Sequence, residues 1–276
     1  MLSVRIDVEN LTVRFGKLVA VDRLNIHAEA TRVGILGQNG SGKTTLLSVA
    51  AGLLLPNAGV LRINGFEPYR EREKAASEIS FIFEKFYFPF KIKVSKLLKL
   101  LLDERGLRRD ILNEIILDMG LQSLLDKNMN ELSSGEEQMV YTLSLISSPL
   151  RIMILDEPFS HLDIFRAARF YNKLMKHDSS LILTSHIPEE IEMLADYFII
   201  LQEGKLLWSG DRQKLISSDI YEVYLSPGSA YEGEIMYSYG GIALVREDPE
   251  NLFRLMKKNV ILGFRKSGIR RIYGEH

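Results

Sequence analysis

Across residues 4–36 apolar and polar side chains alternate in short runs, VRIDVENLTVRF, LNIHAEA and TRVGIL, which is the period-2 signature of strands. A glycine-rich loop then interrupts the pattern. Helical spacing resumes in GKTTLLSVAAGL (42–53), a predicted helix closed by Gly52 and Pro56. GVLRING and EISFIF (78–83) return to strand periodicity. From about 84 to 150 the spacing is helical again, with VSKLLKLLLDERG and RRDILNEIILDMGL gathering apolar residues on one face. Three apolar strands follow, RIMIL (151–155), SLILTS (180–185) and DYFIIL (196–201), with helical segments between them. Such alternation predicts an α/β fold with a mainly parallel central sheet. GKLLWSG and DRQKLISS add a last strand and helix.

The character of the chain changes from about residue 219. SPGSAYEGE reads as a linker, and EIMYSYGGIALVREDPENLFRLMKK as strands with one helix. The expected division is therefore 1–218 for a large domain and 219–276 for a small C-terminal extension with a regulatory or dimerising role. No internal repeat or low-complexity tract is present.

With 276 residues and 46% hydrophobic content the chain can bury one large core plus a small appendage. Its 35 Lys+Arg balance 36 Asp+Glu, so charge gives no support to a nucleic-acid partner, and none is expected. The basic tail GFRKSGIRRIYGEH reads as a solvated face ahead of the alternative, a membrane or nucleic-acid patch. Zero cysteines exclude disulfides and thiolate metal sites, and fit a reducing compartment. MLSVRIDVEN places charges where a signal peptide needs an apolar core. No apolar run approaches the ~20 residues that span a bilayer. The expectation is a soluble chain whose membrane spans, if it works at a membrane, come from another chain.

GQNGSGKT, residues 37–44, matches the phosphate-binding pattern G-x-x-x-x-G-K-[ST] between a strand and a helix. Glycines let backbone N–H groups close around a β-phosphate, and the following helix adds its positive N-terminus. Lys43 is placed to bridge β- and γ-phosphate oxygens, and the Thr44 hydroxyl to ligate Mg²⁺. IMILDEP ends a buried strand in Asp156 and Glu157. One carboxylate there can hold Mg²⁺ through a water, and the other can polarise the water that attacks the γ-phosphate. His186 ends the next strand, where it can hydrogen-bond the γ-phosphate. LSSGEEQ opens a further predicted helix with small residues and exposed N–H groups, a second anion-binding corner.

In their order and spacing these motifs, with Glu84 before an aromatic-rich loop and with SHLD, resemble the ATP-binding-cassette (ABC) ATPases over residues 1 to about 217. The resemblance implies a P-loop NTPase cassette: the parallel sheet, an antiparallel β subdomain, and an α-helical subdomain at about 85–150. It implies ATP and Mg²⁺ as ligands, and two cassettes, identical or not, that sandwich two ATP molecules. Each ATP lies between the P-loop of one chain and the signature loop of the other. On this chain Phe15 resembles the aromatic that stacks on adenine, although core packing would also place an aromatic there. Gly37, Asn39, Gly40, Ser41, Gly42, Lys43, Thr44 and Thr45 belong to the Walker A loop. Asp156 is the Mg²⁺-side carboxylate, Glu157 the general base and His186 the switch histidine. Ser133 and Gly135 would contact the partner's γ-phosphate, and Asp163 ends the segment linking the two sites.

Two positions depart from the family. Glu84 stands where glutamine is usual. As a carboxylate it only accepts hydrogen bonds, and it adds negative charge beside Asp156 and Glu157. A catalytic and Mg²⁺-side role with a slower step or an altered Mg²⁺ requirement is expected for it. The signature reads LSSGE where the family has LSGGQ, which implies a working but imperfect corner. The aromatic loop EKFYFPFKIKV would suit either docking to a membrane subunit or packing of the helical insertion. The resulting expectation is an ATPase subunit of a transporter, peripheral on the cytoplasmic face of the cell membrane beside a polytopic partner. The alternative is a soluble cassette ATPase of the iron–sulfur assembly type. A guanine-nucleotide switch or small-molecule kinase is disfavoured, since no N-K-x-D reader is present and neither class needs the LSSGE corner.

Overall fold

The computed structural model describes residues 3–82, 91–105, 109–147, 149–160, 162–217, 219–239 and 241–266. It divides into two compact units, Met1–Leu207 and Trp208–His276.

In the first unit β1 (Val4–Phe15) and β2 (Leu18–Ala30) form a long antiparallel hairpin that runs from Val4 opposite Ala30 to Phe15 opposite Leu18. The second strand is longer than the sequence pattern indicates, because pairing with β1 keeps the chain extended from Leu18 onward. β3 (Arg32–Leu36) leads into α1 (Lys43–Ala50), and β4 (Ala58–Ile63) pairs antiparallel with β1 to complete a three-stranded sheet, β2-β1-β4. α2 (Arg72–Glu78) then precedes β5 (Ile79–Ile82). The sequence pattern does not reveal α2, since it buries only Ala75 and so carries no apolar stripe. α3 (Val94–Arg105), α4 (Arg109–Asp118) and α5 (Ser134–Ile146) supply the expected helical insertion, with α3 and α4 packed on α5.

β6 (Ile152–Leu155), α6 (Ile164–Lys176), β7 (Ser180–Ser185), α7 (Pro188–Leu194), β8 (Tyr197–Gln202) and β9 (Lys205–Asp211) return to the strand–helix alternation. The six-stranded sheet has the order β5-β6-β7-β3-β8-β9. Its pairs from β5 through β8 are parallel. β6 and β7 are buried along their whole length, hence their nearly unbroken apolar runs. Glu203 and Gly204, with φ of 49° and 76°, form the turn from β8 to β9; such positive-φ pairs match the twist of a tight hairpin. Val21, Ile35, Leu47, Ile154 and Ile182 belong to one core shared by the antiparallel and parallel sheets. The order β6-β7-β3 sets the carboxyl ends of three strands side by side, where open α/β sheets bind ligands.

The second unit contains α8 (Arg212–Ser217), β10 (Ile220–Leu225), β11 (Ile235–Tyr239), β12 (Ile242–Arg246), α9 (Pro249–Lys257) and β13 (Ile261–Lys266). An antiparallel sheet β11-β12-β10-β13 and α9 bury Val223, Val245, Leu252 and Ile261. The division between units falls within β9, earlier than residue 218. SPGSAYEGE is therefore not a boundary linker; it joins β10 to β11 inside one sheet. The strand before it is hard to read because Glu222 interrupts the apolar run IYEVYL. That carboxylate is only 1% exposed, and accepts from the Arg265 guanidinium at 2.7 Å and the Tyr224 hydroxyl at 2.6 Å.

Candidate functional site

The loop between β3 and α1 is pinned by one hydrogen bond of its own and by two to the neighbouring strand ends. Ser41 N–H donates to the Gln38 carbonyl at 3.0 Å, Gly37 N–H to the Ser185 carbonyl at 3.3 Å, and Gly204 N–H to the Ser41 carbonyl at 3.0 Å. Gly42 has φ 101°, and a Cβ there would lie 2.5 Å from the Ala20 carbonyl oxygen, so only glycine fits. The N–H groups of residues 43–45 open α1 and have no partner within the helix. Ser41 Oγ is buried without a hydrogen-bond partner. The Lys43 ammonium, 5% exposed, donates to the carbonyls of Gly37 at 2.6 Å and Gln38 at 3.3 Å. It also lies 3.1 Å from Glu157 Oε1, as a charge pair without the alignment of a hydrogen bond.

Asp156 and Glu157 follow β6, both buried. Asp156 accepts from the Thr44 hydroxyl at 2.7 Å and from the Thr184 hydroxyl at 2.6 Å. Burial pushes its carboxyl above the ordinary Asp value, against the lowering pull of these two hydroxyls. Glu157 takes a backbone φ of 48°, and its N–H donates to Thr184 Oγ1 at 3.0 Å. Its other carboxylate oxygen, Oε2, faces His186, with the ring Nδ1 at 2.9 Å and the backbone N–H at 3.3 Å. A carboxylate only accepts, so Nδ1 carries the hydrogen in this pair.

Phe15, Asn39, Gly40, Gly42, Lys43, Thr44, Thr45 and Glu157 border one cleft. Phe15 is 52% exposed there, beside Leu18 and Val19, so it forms an aromatic wall rather than core. Ser133 and Gly135 stand elsewhere, at the start of α5, and do not line this cleft. Ser133 caps α5 by accepting from Glu136 N–H at 3.3 Å. Asp163 caps α6, accepting from the N–H groups of Phe165 and Arg166, both at 3.0 Å. Glu84 and the aromatic loop around it lie outside the described residues.

Sequence reasoning missed Thr184, the hydroxyl that ties both carboxylate residues together; its only signal was one polar residue near the end of an apolar strand. It missed Glu190 too, whose carboxylate accepts from the Ser185 hydroxyl at 2.5 Å and is pushed up by burial.

The donor set fits a hard divalent cation. Mg²⁺ needs only one or two protein oxygens and fills its remaining positions with water and phosphate. Thr44 Oγ1 and Asp156 Oδ2 adjoin the loop's helix N-terminus and supply a hydroxyl and a desolvated carboxylate of that kind. Among the described residues no group of three or more His, Asp or Glu forms an all-protein cage.

The chain resembles known proteins in sequence and in fold. The chain is 31% identical over 223 residues to a probable sulfate/thiosulfate import ATP-binding protein of Chlorella vulgaris, covering 75% of this chain and 92% of that protein. It is 30% identical over 260 residues to an uncharacterized ABC transporter ATP-binding protein of Methanocaldococcus jannaschii, covering 91% and 94%. Its fold matches the dimeric structure of a bacterial ABC transporter cassette with a TM-score of 0.65, at 21% identity over 75% of this chain and 98% of that one. Residues 22–160 match the family model described as ABC transporter, and the chain belongs to that family.

Proposed function

We propose that this chain is the ATP-binding and ATP-hydrolysing subunit of a membrane transporter. The observation that carries the reading is the meeting of Lys43, Thr44, Asp156, Glu157 and His186 where β3, β6 and β7 end. Lys43 and the N–H groups of residues 43–45 bind the β- and γ-phosphates. Thr44 and Asp156 would hold Mg²⁺, which when bound would supply charge neutralisation on the phosphate oxygens. Glu157 takes the proton of the attacking water as ADP leaves. His186 orients Glu157 through Nδ1; donating to phosphate from Nε2 at the same time requires the imidazolium. Phe15 offers its exposed ring to adenine. Ser133 and Gly135, placed away from the chain's own cleft, serve the ATP of a second cassette.

Phe15→Ala is expected to weaken ATP binding about twofold to twelvefold, the stacking contribution of about 0.5–1.5 kcal/mol, with turnover at saturating ATP unchanged. Titration with a fluorescent ATP analogue reads this.

Among the described residues no helix is long and apolar enough to cross a membrane. The transport reading places this chain on the cytoplasmic face of the membrane, docked on a polytopic partner that supplies the spans. Affinity purification of the tagged chain from detergent-solubilised membranes and from cytosol tests it. A stoichiometric polytopic protein in the membrane fraction is the expected result. Recovery from cytosol alone, with soluble partners, would overturn the transport assignment and leave the ATPase assignment standing.

A further inference from the structure

The corner at the start of α5 already holds an anion of its own. Glu136 Oε2 accepts from Ser133 N–H at 2.8 Å and from the Ser133 hydroxyl at 3.1 Å, while Glu136 Oε1 accepts from the Lys127 ammonium at 2.9 Å. Ser133 is exposed and Glu136 half-buried, so this cluster sits at the surface. Ser133 N–H and then Lys127 hold the Glu136 carboxyl down to about 2, so the negative charge persists at any physiological pH.

We propose that Glu136 is an intramolecular competitor for the signature corner, with Lys127 as the counter-cation that lets a partner's γ-phosphate displace it. The proposal rests on the cassette reading above, in which Ser133 faces that phosphate. The Ser133 hydroxyl has one hydrogen to give. While it is spent on Glu136, it is not available to the phosphate. A carboxylate at the corner also repels the incoming phosphate oxygens, and its bonds are the strong, charge-assisted kind. Lys127 offsets part of that charge and can follow either anion. Closure of two cassettes on ATP therefore includes an exchange of one anion for another, which raises the ATP concentration needed.

The variants separate this gating role from a structural one. Glutamine at the third helical position keeps the capping box, so Glu136→Gln retains the helix start while leaving the Ser133 hydroxyl a neutral, weaker acceptor that phosphate displaces more readily. Lys127→Met leaves the carboxylate uncompensated. Both are made in full-length Glu157→Gln protein, with ATP binding followed by a fluorescent analogue and dimer mass by light scattering across an ATP titration. Glu136→Gln is expected to lower the ATP concentration for half-dimerisation about tenfold, and Lys127→Met to raise it severalfold, with monomer ATP binding unchanged in both. A merely structural role predicts no shift, or a shift to higher ATP, for Glu136→Gln. Equal midpoints in the presence and absence of Glu136 overturn the proposal alone. ATP binding without dimerisation in any variant removes the homodimeric sandwich and the proposal with it.

Discussion

Replacing Glu157 by glutamine is expected to reduce ATP turnover about 10³-fold while leaving ATP binding intact, so that an ATP-dependent dimer accumulates. The amide matches the carboxylate in shape, and although Lys43 loses its charge pair at 3.1 Å, each neighbour keeps another anchor. Lys43 keeps its bond to the Gly37 carbonyl at 2.6 Å, and His186 Nδ1–H can donate to an amide oxygen as it does to Oε2 at 2.9 Å. The backbone at φ 48° is set by the turn after β6 and by the Thr184 hydroxyl, not by the side chain. What is lost is the basicity that takes a proton from water. Single-turnover phosphate release and light scattering at saturating ATP read the two halves of the prediction. Turnover within tenfold of the parent would remove Glu157 as the general base. A protein that stays monomeric with ATP bound would instead remove the homodimeric sandwich.

The site was legible to the extent that its chemistry lies in contiguous motifs. The glycine spacing of residues 37–44 and the two carboxylates ending an apolar strand announce themselves because each needs particular residue types at fixed offsets. Strand and helix order was legible for the same reason in β6, β7 and β8, whose burial on both faces imposes apolar runs. Partnerships between distant residues were not. Thr184 reaches Asp156 across 28 positions, and Thr44 reaches it across 112, so no local pattern records either contact. Glu136 was visible only as a glutamate following LSSG; that its carboxylate turns back onto Ser133 and Lys127 depends on how the loop before α5 folds. The second unit was misread at its start because Glu222 makes a central strand look polar, and its partner Arg265 comes 43 residues later.

Thr184→Val is expected to destabilise the first unit by about 3 kcal/mol and to suppress turnover, although residue 184 does not itself line the cleft. Valine matches threonine in shape, so packing in β7 is kept. Two buried groups then lose their partner at once: Asp156 Oδ1, which accepts the hydroxyl at 2.6 Å, and Glu157 N–H, which donates to it at 3.0 Å. Each orphaned group costs about 1–3 kcal/mol where no water can replace the bond, and the melting transition of that unit should fall by roughly 10 °C. A pH signature separates this from simple loosening. Burial already holds the Asp156 carboxyl above its ordinary value, and the Thr184 hydroxyl acts to lower it. Without that hydroxyl the value rises further. Catalysis needs Asp156 ionised, so the acid limb of the kcat/KM profile, which reports the free enzyme, moves to higher pH in Thr184→Val. Stability moves the opposite way. A carboxyl whose folded value exceeds its unfolded one binds its proton more tightly when folded, so the valine variant regains part of its lost stability as pH falls through that value. Thr184→Ser keeps the hydroxyl and sheds one methyl group, and should retain both the parent acid limb and most of the turnover. If serine and valine variants lose activity alike with no shift of the acid limb, packing in β7 is what residue 184 supplies, and the hydroxyl bridge between Asp156 and Glu157 has no part in catalysis.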